Sequence, residues 1–246
     1  MTGGRESYDA LRSTQDRAIA LARAGAEAGT SVVARRQTAA RGRSDHAWAS
    51  PVGGLYVSVV VASPDEHASL LPIAIGAYLA RALHRRFRVP LGVKWPNDLL
   101  ATSRRPARKL GGILVDRIAS PRLGAAAVAG VGLNVATAPH DFPESLRGSV
   151  ATLREESAVD LGPSDVEAMT VAAVEEAARS IATTTGATIA RGLCREWLWG
   201  VGRPASVDGR PVGRIVGLGD EGELLVEDRG ARVAIRAGDL RVDEGA

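Results

Sequence analysis

LGVKWPNDLLATSRRPARKLGGIL, residues 91–114, is the stretch that decides the fold. It opens on a short run that reads as a strand over 91–95, stopped by Pro96, which has no N–H to give a ladder. Asn97 and Asp98 follow, side chains that fix turns by bonding nearby backbone. Lys94-Trp95-Pro96-Asn97-Asp98 therefore has two readings. It is a well-made turn that packs Trp95, or a cation, an amide and a carboxylate gathered at a strand end where ligands bind. Lys109-Leu110-Gly111-Gly112-Ile113-Leu114 begins a further strand, over 110–116. Its paired glycines let backbone approach a ligand or another strand closely. Lys109 points towards the same space, where an ammonium could neutralise anions brought together. The alternative is a snorkelling edge lysine beside a bulge.

The rest of the chain makes these residues conspicuous. Its 246 residues include two lysines (Lys94, Lys109), two asparagines (Asn97, Asn134) and two glutamines (Gln15, Gln37), against a background rich in Ala, Gly, Arg, Val, Asp and Glu. Arginine does a solvated lysine's work on a surface, but it replaces a compact ammonium poorly. The rare residues thus mark candidate sites. Gly130-Val131-Gly132-Leu133-Asn134-Val135 lies in a strand over 125–135; its Asn is disfavoured in a strand and makes a specific bond, to backbone or to ligand. QTAARGRSDHAW, residues 37–48, sets Arg41 and Arg43 on either side of Gly42. That loop wraps a phosphate or carboxylate, or it is a solvated charged loop with Trp48 tucked into the core.

Apolar spacing predicts helices over 8–24, 66–87, 163–183 and 187–199, with Ser13 and Thr14 in or just before the first. Residues 30–36 and 54–61 read as strands rich in β-formers. From 203 to 242, short β segments are broken at Asp208-Gly209, at 219–222 and at 228–230, the pattern of hairpins in a small β-barrel. The expected architecture is α+β: a mixed sheet with flanking helices over 1–200, and a small barrel over 201–246 that leans on it.

Several function classes are disfavoured. The formal charge is +3, with basic residues scattered among acids, so a nucleic-acid face is not indicated. No G-x-G-x-x-G follows a strand, and there is neither a P-loop nor a G-x-S-x-G elbow. His46, His67, His84 and His140 lack metal-ligand spacing. Cys194, the single cysteine, reads as a core thiol. No signal-peptide core or spanning apolar run occurs, which points to a cytoplasmic, reduced protein with no membrane association.

Taken in order along the chain, five motifs resemble the biotin protein ligases: Ser13-Thr14-Gln15, the run from Gln37 through Arg41-Gly42-Arg43 to Trp48-Ala49-Ser50-Pro51, KWPND, KLGGIL, and Gly132-Leu133-Asn134. The resemblance covers nearly the whole chain and is similar to the short class without an N-terminal DNA-binding domain. It implies a class II aminoacyl-tRNA synthetase-like catalytic domain with an SH3-like C-terminal domain. It implies that biotin is activated by ATP and Mg²⁺ as biotinyl-5′-AMP and passed to a lysine of a biotin carboxyl carrier protein, without DNA, by a monomer or homodimer. By this resemblance Lys109, Arg41 and Arg43 are catalytic. Ser13, Thr14, Gln15, Gln37, Arg41, Gly42, Arg43, Trp48, Lys109, Gly111 and Gly112 bind biotin. Arg43, Trp48, Lys94, Asn97, Lys109 and Asn134 bind ATP. The metal is held through the phosphates, near Asp98.

Three positions depart from the family pattern: Gln15 for Asn, Ala40 for Gly, and His46 for Arg. If position 40 needs a positive φ, Ala costs about 1 kcal/mol there. Other acids remain open as alternatives, namely a lipoate-type ligase or octanoyl transferase of the same superfamily. So does a protein that holds biotin or its adenylate with weak transfer.

Overall fold

The structure, a computed structural model, describes residues 3–43, 46–63 and 66–245. Ser44 and Asp45, at the tip of the predicted 37–48 loop, lie outside the described residues. Two sheets are present. The larger has seven strands in the order β1-β2-β3-β7-β6-β5-β4, with β1 Arg5–Tyr8, β2 Ser31–Ala34, β3 Gly54–Ala62, β4 Leu91–Lys94, β5 Asp98–Ala101, β6 Arg108–Ser120 and β7 Gly124–Asn134. β1 and β2 run parallel, joined by helix α1 (Thr14–Arg23); the other neighbours are antiparallel. The sheet is therefore mixed and the domain α+β, as the sequence led us to expect.

Helices α2 (Leu71–Phe87), α4 (Ser164–Ile181) and α5 (Thr184–Trp197) cover one face, and α3 (Leu153–Ser157) is a short helix just before α4. The main core packs Leu79, Leu83, Val174 and Ala190 from these helices against Val57, Val93, Leu99, Ile113, Val131 and Leu133 from the strands. On the opposite face Ala18 and Ala22 of α1 bury Val32, Val60 and Val128. β3 is consequently buried on both faces over nearly its whole length, which explains its almost unbroken apolar run.

The first helix begins later than its apolar spacing predicts. Ser13 is its N-cap, with an extended backbone and a side chain that accepts from Asp16 N–H. The preceding Arg-Glu-Ser-Tyr forms edge strand β1, too short and polar to show a strand period. β5 was likewise hidden, because its four residues follow directly on the turn at Trp95-Pro96-Asn97.

The C-terminal segment forms five antiparallel strands: β8 Pro204–Val207, β9 Arg210–Leu218, β10 Leu224–Asp228, β11 Ala231–Ile235 and β12 Leu240–Val242, in the order β11-β10-β9-β8-β12. The hairpins fall where the Gly-rich breaks predict them. The end strands β11 and β12 do not pair with each other among the described residues, so this sheet is open in its hydrogen bonding. Ile215, Leu218, Leu224, Val226 and Leu240 join the main core. No helix among the described residues is long and apolar enough to cross a membrane.

Trp95 fastens the two sheets together. Its ring is buried, and its Nε1–H donates to the Gly222 carbonyl at 2.9 Å. Trp95→Phe keeps most of the apolar burial but strands that carbonyl, and should lower stability by about 1–3 kcal/mol. The shift in the urea midpoint, with the slope unchanged, measures it; a midpoint equal to wild type would show that this bond does not fasten the sheets.

Candidate active site

Strand register places the site. Residues directly opposite one another share a sheet face. One cross-strand row on the α1 face runs Tyr56, Gly132, Gly112, Asp98, Lys94. The next runs Ser58, Gly130, Leu114, and a third runs Val60, Val128, Asp116. Three glycines, 112, 130 and 132, therefore lie side by side and leave the sheet bare. α1 covers the third row and stops. Its 10 residues are about 15 Å long, against about 29 Å across seven strands. A cleft of about 400 Å³ remains, floored by the glycines.

The first turn of α1 forms one wall. Thr14 N–H donates to Gln37 Oε1 at 2.8 Å, and Gln37 Nε2 donates to Ser50 Oγ at 3.0 Å, so one amide ties the helix start to both ends of the 37–50 segment. Thr14 Oγ1 lies 2.9 Å from Ser58 Oγ, which donates to Gln15 Oε1 at 3.0 Å. Gln15 lies over Gly130, where a Cβ would sit 2.5 Å from its oxygen.

Residues 40–43 and 46–48 form the roof. Arg41 and Ala47 make an isolated bridge, Gly42 N–H donates to the His46 carbonyl at 2.6 Å, and Trp48 N–H to the Ala40 carbonyl at 3.1 Å. Ala40 does not have a positive φ, so the strain that alanine would carry there does not arise. The indole of Trp48 lies on the bare floor: a Cβ on Gly132 would be 2.6 Å from its ring, and one on Gly112 3.0 Å. Its Nε1 is buried without a partner among the described residues, a donor that a ligand oxygen would satisfy.

Cations flank this floor. Lys109 Nζ sits 2.7 Å from Asp98 Oδ1 and 5.2 Å from the centre of the Trp48 ring. Arg43 Nη1 donates to Asn97 Oδ1 at 3.2 Å, and Asn97 Nδ2 donates to the Ile113 carbonyl at 2.7 Å. Arg41 pairs with Asp16. That hydrogen bond, then the charges of Asp16 and Asp116, raise the Arg41 pKa and keep it cationic.

Most residues singled out in the sequence meet here: Ser13, Thr14, Gln15, Gln37, Arg41, Gly42, Arg43, Trp48, Asn97, Asp98, Lys109 and Gly112 all line the cleft. Three stand outside its lining. Asn134 is buried and donates to the Lys109 backbone carbonyl at 3.2 Å. The missing side chain of Gly111 faces the Gly132 carbonyl and Leu133, on the core side. Lys94 stands at the row's end beside Asp98. Sequence reading passed over Asp16, Ser58 and Asp116, and Asp208 and Asp239, which border the cleft from the C-terminal sheet. Ser58 and Asp116 were detectable as polar residues inside apolar strands. Asp208 and Asp239 carried no local signal. Cys194 is buried within α5, and burial pushes its thiol up to about 12, which fits a core thiol rather than a nucleophile. Among the described residues no three His, Cys, Asp or Glu side chains group to hold a metal.

A side-chain-free floor, an arginine roof and a lysine at one end suit an extended anionic ligand lying along a sheet. The pattern of the Biotin/lipoate A/B protein ligase family matches residues 8–134, and the chain belongs to that family. The structure superposes on a biotin protein ligase from Aquifex aeolicus in complex with biotin and ATP, with a TM-score of 0.81 at 26% identity, covering 98% of this chain and 99% of that one. The bifunctional ligase/repressor BirA of Bacillus subtilis is 29% identical over 241 residues, 96% of this chain and 73% of its own length. A biotin–[acetyl-CoA-carboxylase] ligase of Mycobacterium tuberculosis is 37% identical over 137 residues, 52% of this chain and 48% of its own.

Gly132→Ala and Gly111→Ala should separate the two roles of these glycines. The first drives a methyl into the Trp48 ring and should fold, shift the tryptophan emission and weaken ligand binding at least about tenfold. The second meets backbone, the Gly132 carbonyl at 2.8 Å, and should cost about 1–3 kcal/mol of stability. Equal behaviour of the two variants in emission and melting would contradict the assignment of faces.

Proposed function

We infer that the protein activates biotin with ATP as biotinyl-5′-AMP and transfers the biotinyl group to a lysine of a biotin carboxyl carrier domain. The observation that carries this reading is Lys109 Nζ, held by Asp98 at the edge of a floor without side chains and beneath the arginine roof. Family membership and the similarity to a ligase in complex with biotin and ATP support it.

The chemistry needs this arrangement. A biotin carboxylate oxygen bonds to the α-phosphorus, the bond to the β-phosphate's bridging oxygen breaks, and pyrophosphate leaves with that electron pair. Both reactants are anions and charge builds on the phosphoryl oxygens, so catalysis is mostly positioning and electrostatics. Lys109 supplies a cation at the floor, and Arg43 with Arg41 supplies cations from the roof. The carrier amine then attacks the acyl carbon, the anhydride C–O bond breaks and AMP leaves. The roof keeps water from the anhydride between the steps.

We place biotin's ring at the wall of Ser13, Thr14, Gln15 and Gln37, and its chain over Gly112 and Gly132. ATP lies towards Lys94, Asn97 and Arg43, with Trp48 packed on the ligand. Asn134 acts through the Lys109 backbone. Mg²⁺ is read as riding on the phosphates beside Asp98. We read residues 1–200 as a class II synthetase-like catalytic domain and 201–246 as an SH3-like domain that borders the nucleotide end. We place the reaction in the cytoplasm.

Purified protein given biotin, ATP, Mg²⁺ and a carrier domain should release pyrophosphate in a biotin-dependent way and label the carrier. Release with lipoate but not biotin would move the reading to the lipoate ligases; neither would end it. Lys109→Arg should melt like wild type and lose at least about 100-fold in adenylation rate. Near-normal adenylation would remove Lys109 from the site.

A further inference from the structure

Lys109 reaches the cleft because β6 carries a bulge. Side chains along a strand alternate between faces. Counted back from Gly112, which faces the cleft, strict alternation turns Leu110 to the cleft and Lys109 to the core. The structure has the reverse: Leu110 is buried in the main core, and Lys109 lines the cleft. The register of β5 against β6 explains it. Leu99 pairs with Gly111 but Leu100 pairs with Lys109, so Leu110 is the extra residue and shares the core side with Gly111. Such a bulge re-aims a side chain and interrupts the ladder, so other groups must hold the strand there.

Those groups come from the segment after β7. Lys109 N–H donates to the Ser149 carbonyl, and Ala151 N–H donates to the Lys109 carbonyl, each at 2.9 Å. Val150 thus runs parallel beside Lys109, where β7 has already ended. Helix α3 follows, and its acids hold the neighbouring side chain. Arg108 Nη2 donates to Glu155 Oε1 at 2.9 Å and to Glu156 Oε1 at 2.6 Å, and Ser103 Oγ donates to the other oxygen of Glu156. Arg108 pairs with Ala101, a core residue, and so lies on the face opposite Lys109. The Glu156 side chain is 3% exposed and that of Arg108 14%. Burying an ion pair is costly in desolvation and adds little net stability, so this one calls for a role beyond stability.

We propose that Arg108 and Glu156 are positioning residues for Lys109. They pin the start of β6 to α3 from the core face, while Ser149 and Ala151 grip the Lys109 backbone. The clamp keeps the bulge, and the bulge aims the ammonium at the floor. Only the catalytic consequence rests on the reading of Lys109 as the cation of a ligase site. The clamp itself stands on these bonds.

Glu156→Gln keeps the shape of the side chain and removes its charge. In ligand-free protein it should speed hydrogen exchange of the Lys109 amide about tenfold and leave that of Val131 unchanged. At saturating substrates, kcat for biotin-dependent pyrophosphate release should fall about tenfold with KM for biotin little changed. A loss of stability alone would leave kcat per folded molecule at the wild-type value. With Lys109→Met in place, adding Glu156→Gln should slow nothing further. If Glu156→Gln does not fold, Glu155→Gln, at a side chain 40% exposed, carries the same comparison with effects of about threefold. Unchanged exchange at Lys109 overturns the proposal, as do a wild-type kcat in active enzyme or additivity with Lys109→Met. Wild type without biotin-dependent pyrophosphate release sinks the ligase reading instead, and the amide exchange still decides the clamp.

Discussion

The cleft exists because three positions on adjacent strands have no side chain to fill it. Gly112, Gly130 and Gly132 fall together only through the register of β6 against β7, where Gly112 faces Gly132 and Leu114 faces Gly130. A one-residue slip would turn every one of them to the other face. That register is held by the core side of the same strands, where Ile113, Val131 and Leu133 pack beneath α2 and its neighbours. The ladder satisfies the floor's own N–H and C=O groups, so a bare sheet costs little in unpaired polar atoms. What it forgoes is apolar burial, and the Trp48 ring recovers part of that by lying on the glycines.

Around this floor the polar side chains are engaged with one another. Gln37 bonds Thr14 and Ser50, Gln15 bonds Ser58, Asp116 and the Val128 carbonyl, and Asn97 and Asn134 grip the backbone of β6. Buried amides are stable only when satisfied, and here their satisfaction fixes their orientation. Among the described residues the Trp48 indole N–H is buried there without a partner. The walls are thus set by their own hydrogen bonds, and the roof is joined to them by ion pairs and short backbone bridges.

Much of this was legible in the sequence for a physical reason. Where composition drifts towards arginine, the positions that keep Lys94, Lys109, Asn97, Asn134, Gln15 and Gln37 are those where shape matters, and five of these six prove to be site-lining residues or direct supports of one. Long helices and apolar strands were readable from their periods. β1 and β5 were not, because four residues are too few to show a period, and β1 is a polar edge. The start of α1 was misplaced because Leu11 continues the apolar spacing, while the cap at Ser13 overrides it. Asp16 escaped notice because a carboxylate's partner 25 residues away leaves no mark on its neighbours, whereas Asp116, whose partner is 75 residues away, showed only as a polar residue in an apolar strand. The resemblance implies that Gly111 and Gly112 both bind ligand, whereas the register turns Gly112 to the cleft and Gly111 to the core side.

The turn at 94–98 shows why the motif is so compact. Successive residues at a strand end point to opposite faces. Trp95 goes down into the core and bonds Gly222, which seats the C-terminal sheet. Lys94 and Asp98 go to the cleft face, where Asp98 meets Lys109 and pairs directly with Gly112. Asn97 bonds β6 on one side and Arg43 on the other. The same five residues therefore join the two sheets, set one end of the floor and receive the roof. The C-terminal sheet, once seated by Trp95, brings Asp208 and Asp239 to the rim of that cleft. A small open sheet would contribute little by itself. Placed by this turn, it becomes a wall of the site.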